Sequence, residues 1–141
     1  MPLSKIKDLK DILKNSNYKI TKTRLAVLGI LNKENKPVTA DSIYKKISSQ
    51  INEATVYRIL SSFEEDKIIR RVNLKREAVH FELNNHHHHH FVCLGCNLVE
   101  PFQSNKIEKY LEEVVEKSSN FKKINEHSIE LFGFCRKCSL K

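Results

Sequence analysis

Two cysteine pairs carry the clearest chemistry in this chain: Cys93 with Cys96, and Cys135 with Cys138, each pair separated by two residues. A two-residue spacer lets one turn present two sulfurs, and four thiolates in a tetrahedron are what a structural Zn2+ takes. The 38 residues between Cys96 and Cys135 can hold a helix and a strand that return the second pair to the first. A redox dithiol would explain one such pair, not two flanking one subdomain. Beside them stands a run of five consecutive imidazoles, His86–His90, that flows into an apolar segment at Phe91. In extended chain His87 and His89 point one way and His86, His88 and His90 the other, so the run can serve two sites back to back. His80 and Glu82 share one face of the preceding segment and can join either. Glu108 falls beside the apolar stripe of an amphipathic helix, and His127 shares a strand face with Ile129 and Leu131. Alone, His127 reads as a half-buried histidine; next to a His pair and a carboxylate it reads as a ligand. Sets of His and carboxylate suit Fe2+, Mn2+ and Zn2+ alike.

Composition bounds what surrounds these residues. The chain has 141 residues with 25 Lys and Arg against 17 Asp and Glu, a net charge of +8. That length suits one ordinary domain or two small ones. Residues 1–85 carry 17 basic and 10 acidic side chains, a net of +7, whereas residues 86–141 carry 8 and 7, a net of +1. A basic half fits a polyanion and a ligand-rich half fits metal. A solvated Lys-rich surface gives the same charge, so charge alone decides nothing. No apolar stretch approaches the roughly 20 residues that span a bilayer, and Met1–Lys14 lacks a secretory apolar core. The chain is therefore expected to be cytoplasmic, with no membrane partner, and its thiols to serve metal or redox chemistry rather than disulfides.

The elements that must position the ligands follow from periodicity. Leu3, Ile6, Leu9, Ile12 and Leu13 have helical spacing that ends near Asn15–Asn17. Thr21 caps a second helix with Leu25, Leu28, Ile30 and Leu31, closed by Asn32–Lys36 ahead of Pro37. Thr39 caps a third with Ile43, Tyr44 and Ile47 inward. After a connection at Gln50–Asn52, Val56, Ile59, Leu60 and Phe63 form the core stripe of a fourth helix. Its other face carries Thr55, Tyr57, Arg58, Ser61 and Ser62. Ile68–Leu74 and Ala78–Leu83 read as strands around a Lys75-Arg76-Glu77 turn, with Val79, Phe81 and Leu83 alternating against Ala78, His80 and Glu82. Helix, short turn, helix and a basic two-stranded wing make a winged helix-turn-helix, whose fourth helix a major groove could accept. A small helical domain with no nucleic-acid role is the plainer alternative.

In the second half, Phe91–Cys93 reads as a strand into the first cysteine pair. Ile107, Tyr110, Leu111, Val114 and Val115 mark an amphipathic helix, and a strand over about Phe121–Phe134 leads into the second pair. The expected class is α+β: a winged-helix domain over 1–83, a hinge at 84–85 and a small α/β domain over 86–141. A unit of about 55 residues needs a metal staple or a partner chain.

These residues resemble the ferric uptake regulator family of metal-sensing bacterial repressors. The resemblance is carried by Lys19-Ile20-Thr21-Lys22-Thr23-Arg24-Leu25, Ala54-Thr55-Val56-Tyr57-Arg58, Phe81-Glu82-Leu83, His86–Cys93 and His127-Ser128-Ile129-Glu130-Leu131-Phe132-Gly133. It covers nearly the whole chain in order. It implies a homodimer joined through the C-terminal domain that binds palindromic AT-rich operators in double-stranded DNA when a regulatory divalent metal, Fe2+, Zn2+ or Mn2+, is bound. Under it, Cys93, Cys96, Cys135 and Cys138 match a structural zinc site. His87, His89, Glu108 and His127 match a dimerisation-domain metal site, His89 standing where many members have Asp. Glu82, His88 and His90 match an inter-domain regulatory site. Tyr57 and Arg58 match base- and phosphate-contacting positions, with Thr55 on the same face, and Lys19 matches a minor-groove contact.

One departure concerns the inter-domain site, where many members add a His just before the third helix and an acidic residue five positions after the second knuckle cysteine. Pro37 and Pro101 stand there, and neither can ligate. Three readings stay open: a three-ligand site, recruitment of His80 or Glu100, or a degenerate site. Two rival functions can be weighed from the residues. A zinc hydrolase needs an open coordination position with a base nearby, but the chain has no HExxH helix and His127 would close the site, so the expectation is no enzyme. A zinc-stabilised DNA-binding module without switching remains the alternative.

Overall fold

The computed structural model describes residues 3–34, 36–49 and 51–140, and only the backbone of 3–7. The side chains of Leu3 and Ile6 in the expected first helix, and Asn35 and Gln50 of the expected connections, lie outside the described residues. The chain divides into two compact units, Met1–His86 and His87–Lys141.

The first unit runs α1 (Leu3–Asn15), α2 (Lys22–Lys33), β1 (Val38–Thr39), α3 (Ala40–Ile47), α4 (Glu53–Glu65), β2 (Ile69–Val72) and β3 (His80–Leu83). Side-chain caps set the helix starts: Thr21 accepts from the Arg24 amide, Thr39 from that of Ser42 and Asn52 from that of Thr55. Helices α1 and α4 end where a residue turns left-handed, Asn17 at φ 61° and Lys67 at φ 58°. The Tyr18 and Ile68 amides then reach back to Leu13 O and Phe63 O at 2.8 Å each, which satisfies carbonyls a helix end leaves open. Leu13, Val27, Leu28, Ile43, Val56, Leu60 and Phe63 fill the core, with Leu25, Ile30, Tyr44 and Ile59 partly buried against it. Burying each such side chain contributes about 1.5–3 kcal/mol.

The wing is a three-stranded sheet in the order β1-β3-β2. Strands β2 and β3 are shorter than the expected Ile68–Leu74 and Ala78–Leu83. The short β1 was not expected from sequence, and it makes β3 central. All four residues of β3 are therefore buried, His80 and Glu82 included. Val79 falls outside the strand and is exposed.

The second unit runs β4 (His89–Cys93), β5 (Val99–Phe102), α5 (Asn105–Glu116), β6 (Glu130–Gly133) and α6 (Arg136–Ser139). Its sheet has the order β5-β4-β6, with β5 antiparallel and β6 parallel to β4. The expected strand over Phe121–Phe134 is only β6, because 118–129 carries no strand. The expected amphipathic helix is α5, and its apolar stripe is not buried: Tyr110 and Val114 are exposed, and no residue of α5 is buried.

Candidate metal centres

The four cysteines converge in the second unit. Strand β4 delivers Cys93 at its end; the turn after it, with Asn97 at φ 64°, presents Cys96. Cys135 immediately precedes α6 and Cys138 lies within it. The four Sγ atoms lie within 4.8 Å of one another, and those of Cys96 and Cys135 are 3.7 Å apart. Disulfide sulfurs would sit about 2.05 Å apart. Four sulfurs each about 2.3 Å from a tetrahedral Zn2+ sit about 3.8 Å apart, so the observed spacing fits the ion. The protonation pattern agrees. Cys93 is drawn down to about 6, chiefly by the Cys135 amide, which donates to its Sγ at 3.2 Å. Cys138 is pushed up to about 12, chiefly by its hydrogen bond with the Cys135 sulfur and by burial. Cys135 is lowered too, chiefly by a backbone hydrogen bond at Cys138. The thiolate is thus favoured at Cys93 and Cys135 and opposed at Cys138, where a bound cation would offset the cost.

A second convergence has a carboxylate at its centre. Ser104 caps α5 by accepting from the Ile107 amide, which places Glu108 in the first turn facing β4. Its Oε1 lies 3.0 Å from His87 Nε2 and 2.7 Å from His89 Nε2, and its Oε2 lies 2.8 Å from His127 Nε2. The rings of the three histidines stand 4.6–5.3 Å apart. Hydrogen bonding from His89 comes first among the causes that hold the Glu108 carboxyl below its ordinary range. The side chain of His89 is wholly buried, yet its Nδ1 has no hydrogen-bond partner among the described residues. Three imidazole nitrogens aimed at one anionic oxygen pair form a donor set for a divalent cation. His127 comes not from a strand, as expected, but from the irregular segment before β6.

His88 and His90 lie together on the other side of the histidine run, with ring centroids 4.9 Å apart. Cross-strand register sets their neighbours. Pro101 pairs with His90 and so shares its face, whereas Glu100 pairs with Phe91 and stands on the opposite one. Glu82 belongs to the first unit. There it is buried on β3 opposite Arg70 of β2, whose Nε and Nη2 each lie 2.7 Å from its Oε1. His80 is held by a contact of 2.9 Å between its Nδ1 and Ala78 O, and burial depresses its pKa. Sequence reading passed over Glu130, which pairs with His90 from β6. The available signal was a carboxylate inside the apolar run Ile129–Phe132.

On the first unit, α4 turns Tyr57 and Arg58 outward, Tyr57 being 50% exposed. Asn52 Oδ1 accepts from the Thr55 amide and hydroxyl at 2.9 and 2.8 Å, and Arg58 Nη2 donates to Thr55 Oγ1 at 3.2 Å. The cap, Thr55 and Arg58 thus form one chain at the helix start. Lys19 is exposed just before α2, its carbonyl fixed by Arg24 at 2.8 Å. Arg24 in turn lies over the Tyr18 ring at 5.1 Å. Among the described residues no helix is long and apolar enough to cross a membrane.

The profile of the Ferric uptake regulator family matches residues 15–132. The Ferric uptake regulation protein of Bacillus subtilis is 32% identical over 146 residues, spanning 98% of this chain and 97% of its own. The Helicobacter pylori ferric uptake regulator, whose structure is described as revealing three functional metal binding sites, superposes with a TM-score of 0.78 at 26% identity, covering 99% of this chain and 95% of that one. The Francisella tularensis regulator with iron superposes at 0.73 with 32% identity, over 86% and 95%. Proteins of this kind are transcription regulators, not enzymes. The winged-helix unit and the α/β unit with its clustered Cys, His and carboxylate side chains agree with those structures, and this chain belongs to the ferric uptake regulator family.

Proposed function

We propose that the chain is a metal-dependent repressor that binds palindromic AT-rich operators as a homodimer. The observation that carries this reading is the closure of His87, His89 and His127 on Glu108 within 3.0 Å, in a regulator whose separate basic unit exposes Tyr57 and Arg58. Cys93, Cys96, Cys135 and Cys138 would hold a structural Zn2+. His87, His89, Glu108 and His127 would hold a second divalent ion, Fe2+, Zn2+ or Mn2+. Glu82, His88 and His90 would form the inter-domain regulatory set. A bound ion supplies positive charge that lets these side chains share one centre.

The exposed Tyr110 and Val114 of α5, with Phe91 and Leu131 on the sheet, support a second copy of the chain as partner. A two-fold dimer would present two α4 helices at half-site spacing. Tyr57 would lie against a thymine methyl, and Arg58 would reach a guanine edge or a phosphate, with Thr55 steadying it. Lys19 would enter the minor groove, and the +7 of residues 1–85 supplies salt-sensitive affinity. With the hinge at 84–85 unrestrained, DNA binding bears the entropy of ordering it.

Fluorescence anisotropy on a palindromic AT-rich duplex tests the reading. Operator affinity should fall when the weaker metal is chelated and return on adding it. Arg58→Ala should weaken operator binding at least tenfold with metal content unchanged; equal binding by Arg58→Ala, or by chelated protein, contradicts it.

A further inference from the structure

Glu130 is a largely covered carboxylate with little to hold it. Its side chain is 13% exposed, and its polar partners among the described residues are two. The Ser128 hydroxyl donates to Oε2 at 3.4 Å, and His90 Nδ1 lies 3.9 Å from Oε1. Neither is a strong hydrogen bond, and burying a carboxylate without compensation is costly. The backbone explains the placement. Strands β4 and β6 are parallel with His90 opposite Glu130, so both side chains leave the same face of the sheet. On the other flank of His90 that face offers only Pro101. Glu130 is therefore the one acidic side chain that the sheet register sets beside His90, whose own side chain is 3% exposed.

The nitrogen turned toward Glu130 is Nδ1. An imidazole whose Nδ1–H is taken by a carboxylate presents its Nε2 lone pair, in a fixed tautomer and with raised basicity, to a metal. We propose that Glu130 is the positioning residue of the His88/His90 cation site: it accepts the Nδ1 proton of His90 and holds Nε2 as the ligand atom. Closing the 3.9 Å gap to a hydrogen bond takes a side-chain shift of about 1 Å. The inference rests on the proposed reading that His88 and His90 hold a divalent ion. It deepens that reading by giving the site a carboxylate from β6, on the flank opposite Pro101. Ser128 fits the same role, because its hydroxyl on Oε2 leaves Oε1 to His90.

The test uses full-length, zinc-loaded protein carrying Glu108→Ala and His127→Ala, so that the other His and carboxylate set no longer competes. Co2+ is the probe, titrated against a chromophoric chelator, and its visible absorption reports the ligand set. Adding Glu130→Gln, which keeps side-chain volume, should weaken Co2+ binding by roughly 10–100-fold. The Co2+ absorption band should stay where it was, and the protein should keep its cysteine-bound zinc. Three results overturn the proposal: unchanged Co2+ affinity, a displaced band that makes Glu130 itself a ligand, or loss of zinc that makes it a prop for the sheet. His90→Ala in the same background separates the two levels. If it leaves Co2+ binding intact, or the background binds no Co2+, the His88/His90 reading itself fails and the proposal falls with it. If His90→Ala abolishes binding while Glu130→Gln does not, the proposal alone fails.

Discussion

Gly95 shows how narrow the tolerances are around the cysteine quartet. A Cβ at this position would stand 2.9 Å from Cys138 Sγ and 3.0 Å from its Cβ, closer than carbon and sulfur pack. The sulfur cannot swing aside without leaving the quartet. Gly95→Ala should therefore release zinc several-fold faster to a competing chelator, with faster thiol labelling; wild-type release would mean that the knuckle adjusts. His80 shows a different constraint. Its ordinary pKa of 6.5 is lowered in the fold, first by burial. A histidine depressed in this way binds its proton more readily unfolded, so its contribution is complete above about pH 6.5 and is lost as pH falls below that value. Urea unfolding at pH 7.5 and 5.5 should show a smaller loss of stability on acidification in His80→Gln than in wild type. Equal losses would place the acid sensitivity elsewhere. At this scale the cysteine pairs were legible, because two residues of spacing carry the whole message. Glu130 was not, because its partner His90 is 40 positions away and only strand register joins them.

Helix α4 is the element whose start matters most. Asn52 satisfies the Thr55 amide and hydroxyl, and the Thr55 oxygen in turn receives Arg58. Asn52→Ala removes the cap and should destabilise the protein by about 1 kcal/mol. The same change should weaken operator binding beyond what thermal unfolding accounts for, because Arg58 loses its anchor. A stability loss with unchanged DNA affinity would separate cap from contact. The helices were readable from sequence since 3.6-residue periodicity and Thr21 and Thr39 caps are local signals. The strands were read less well. Strand β5 is four residues containing Pro101, a residue tolerated at a sheet edge but not a strand signal. Strand β6 was drawn too long because the apolar Phe121 and Ile124 were joined to the alternation that begins only at His127, Ile129 and Leu131, next to the paired residues Glu130–Gly133.

The whole molecule separates charge from metal chemistry. The first unit has a continuous apolar core and most of the positive charge, so it needs no ion to fold. The second buries few apolar side chains, chiefly Val92, Cys93 and Val99, and leaves Tyr110, Phe121 and Phe134 exposed. Under the proposed function such a unit would depend on its metal centres and on a partner surface. Division of labour was legible in the contrast between +7 and +1 across residue 85. The exposed face of α5 was not, since an amphipathic stripe does not say whether its own chain or another covers it. The central claim is that one ion is structural and another is the switch. The most direct measurement is metals per chain by elemental analysis before and after dialysis against a mild chelator, with operator binding followed in the same samples. One zinc per chain should be retained, operator binding should be lost with the departing metal, and it should recover when that metal is restored. Full operator binding by protein holding only the cysteine-bound zinc would contradict it.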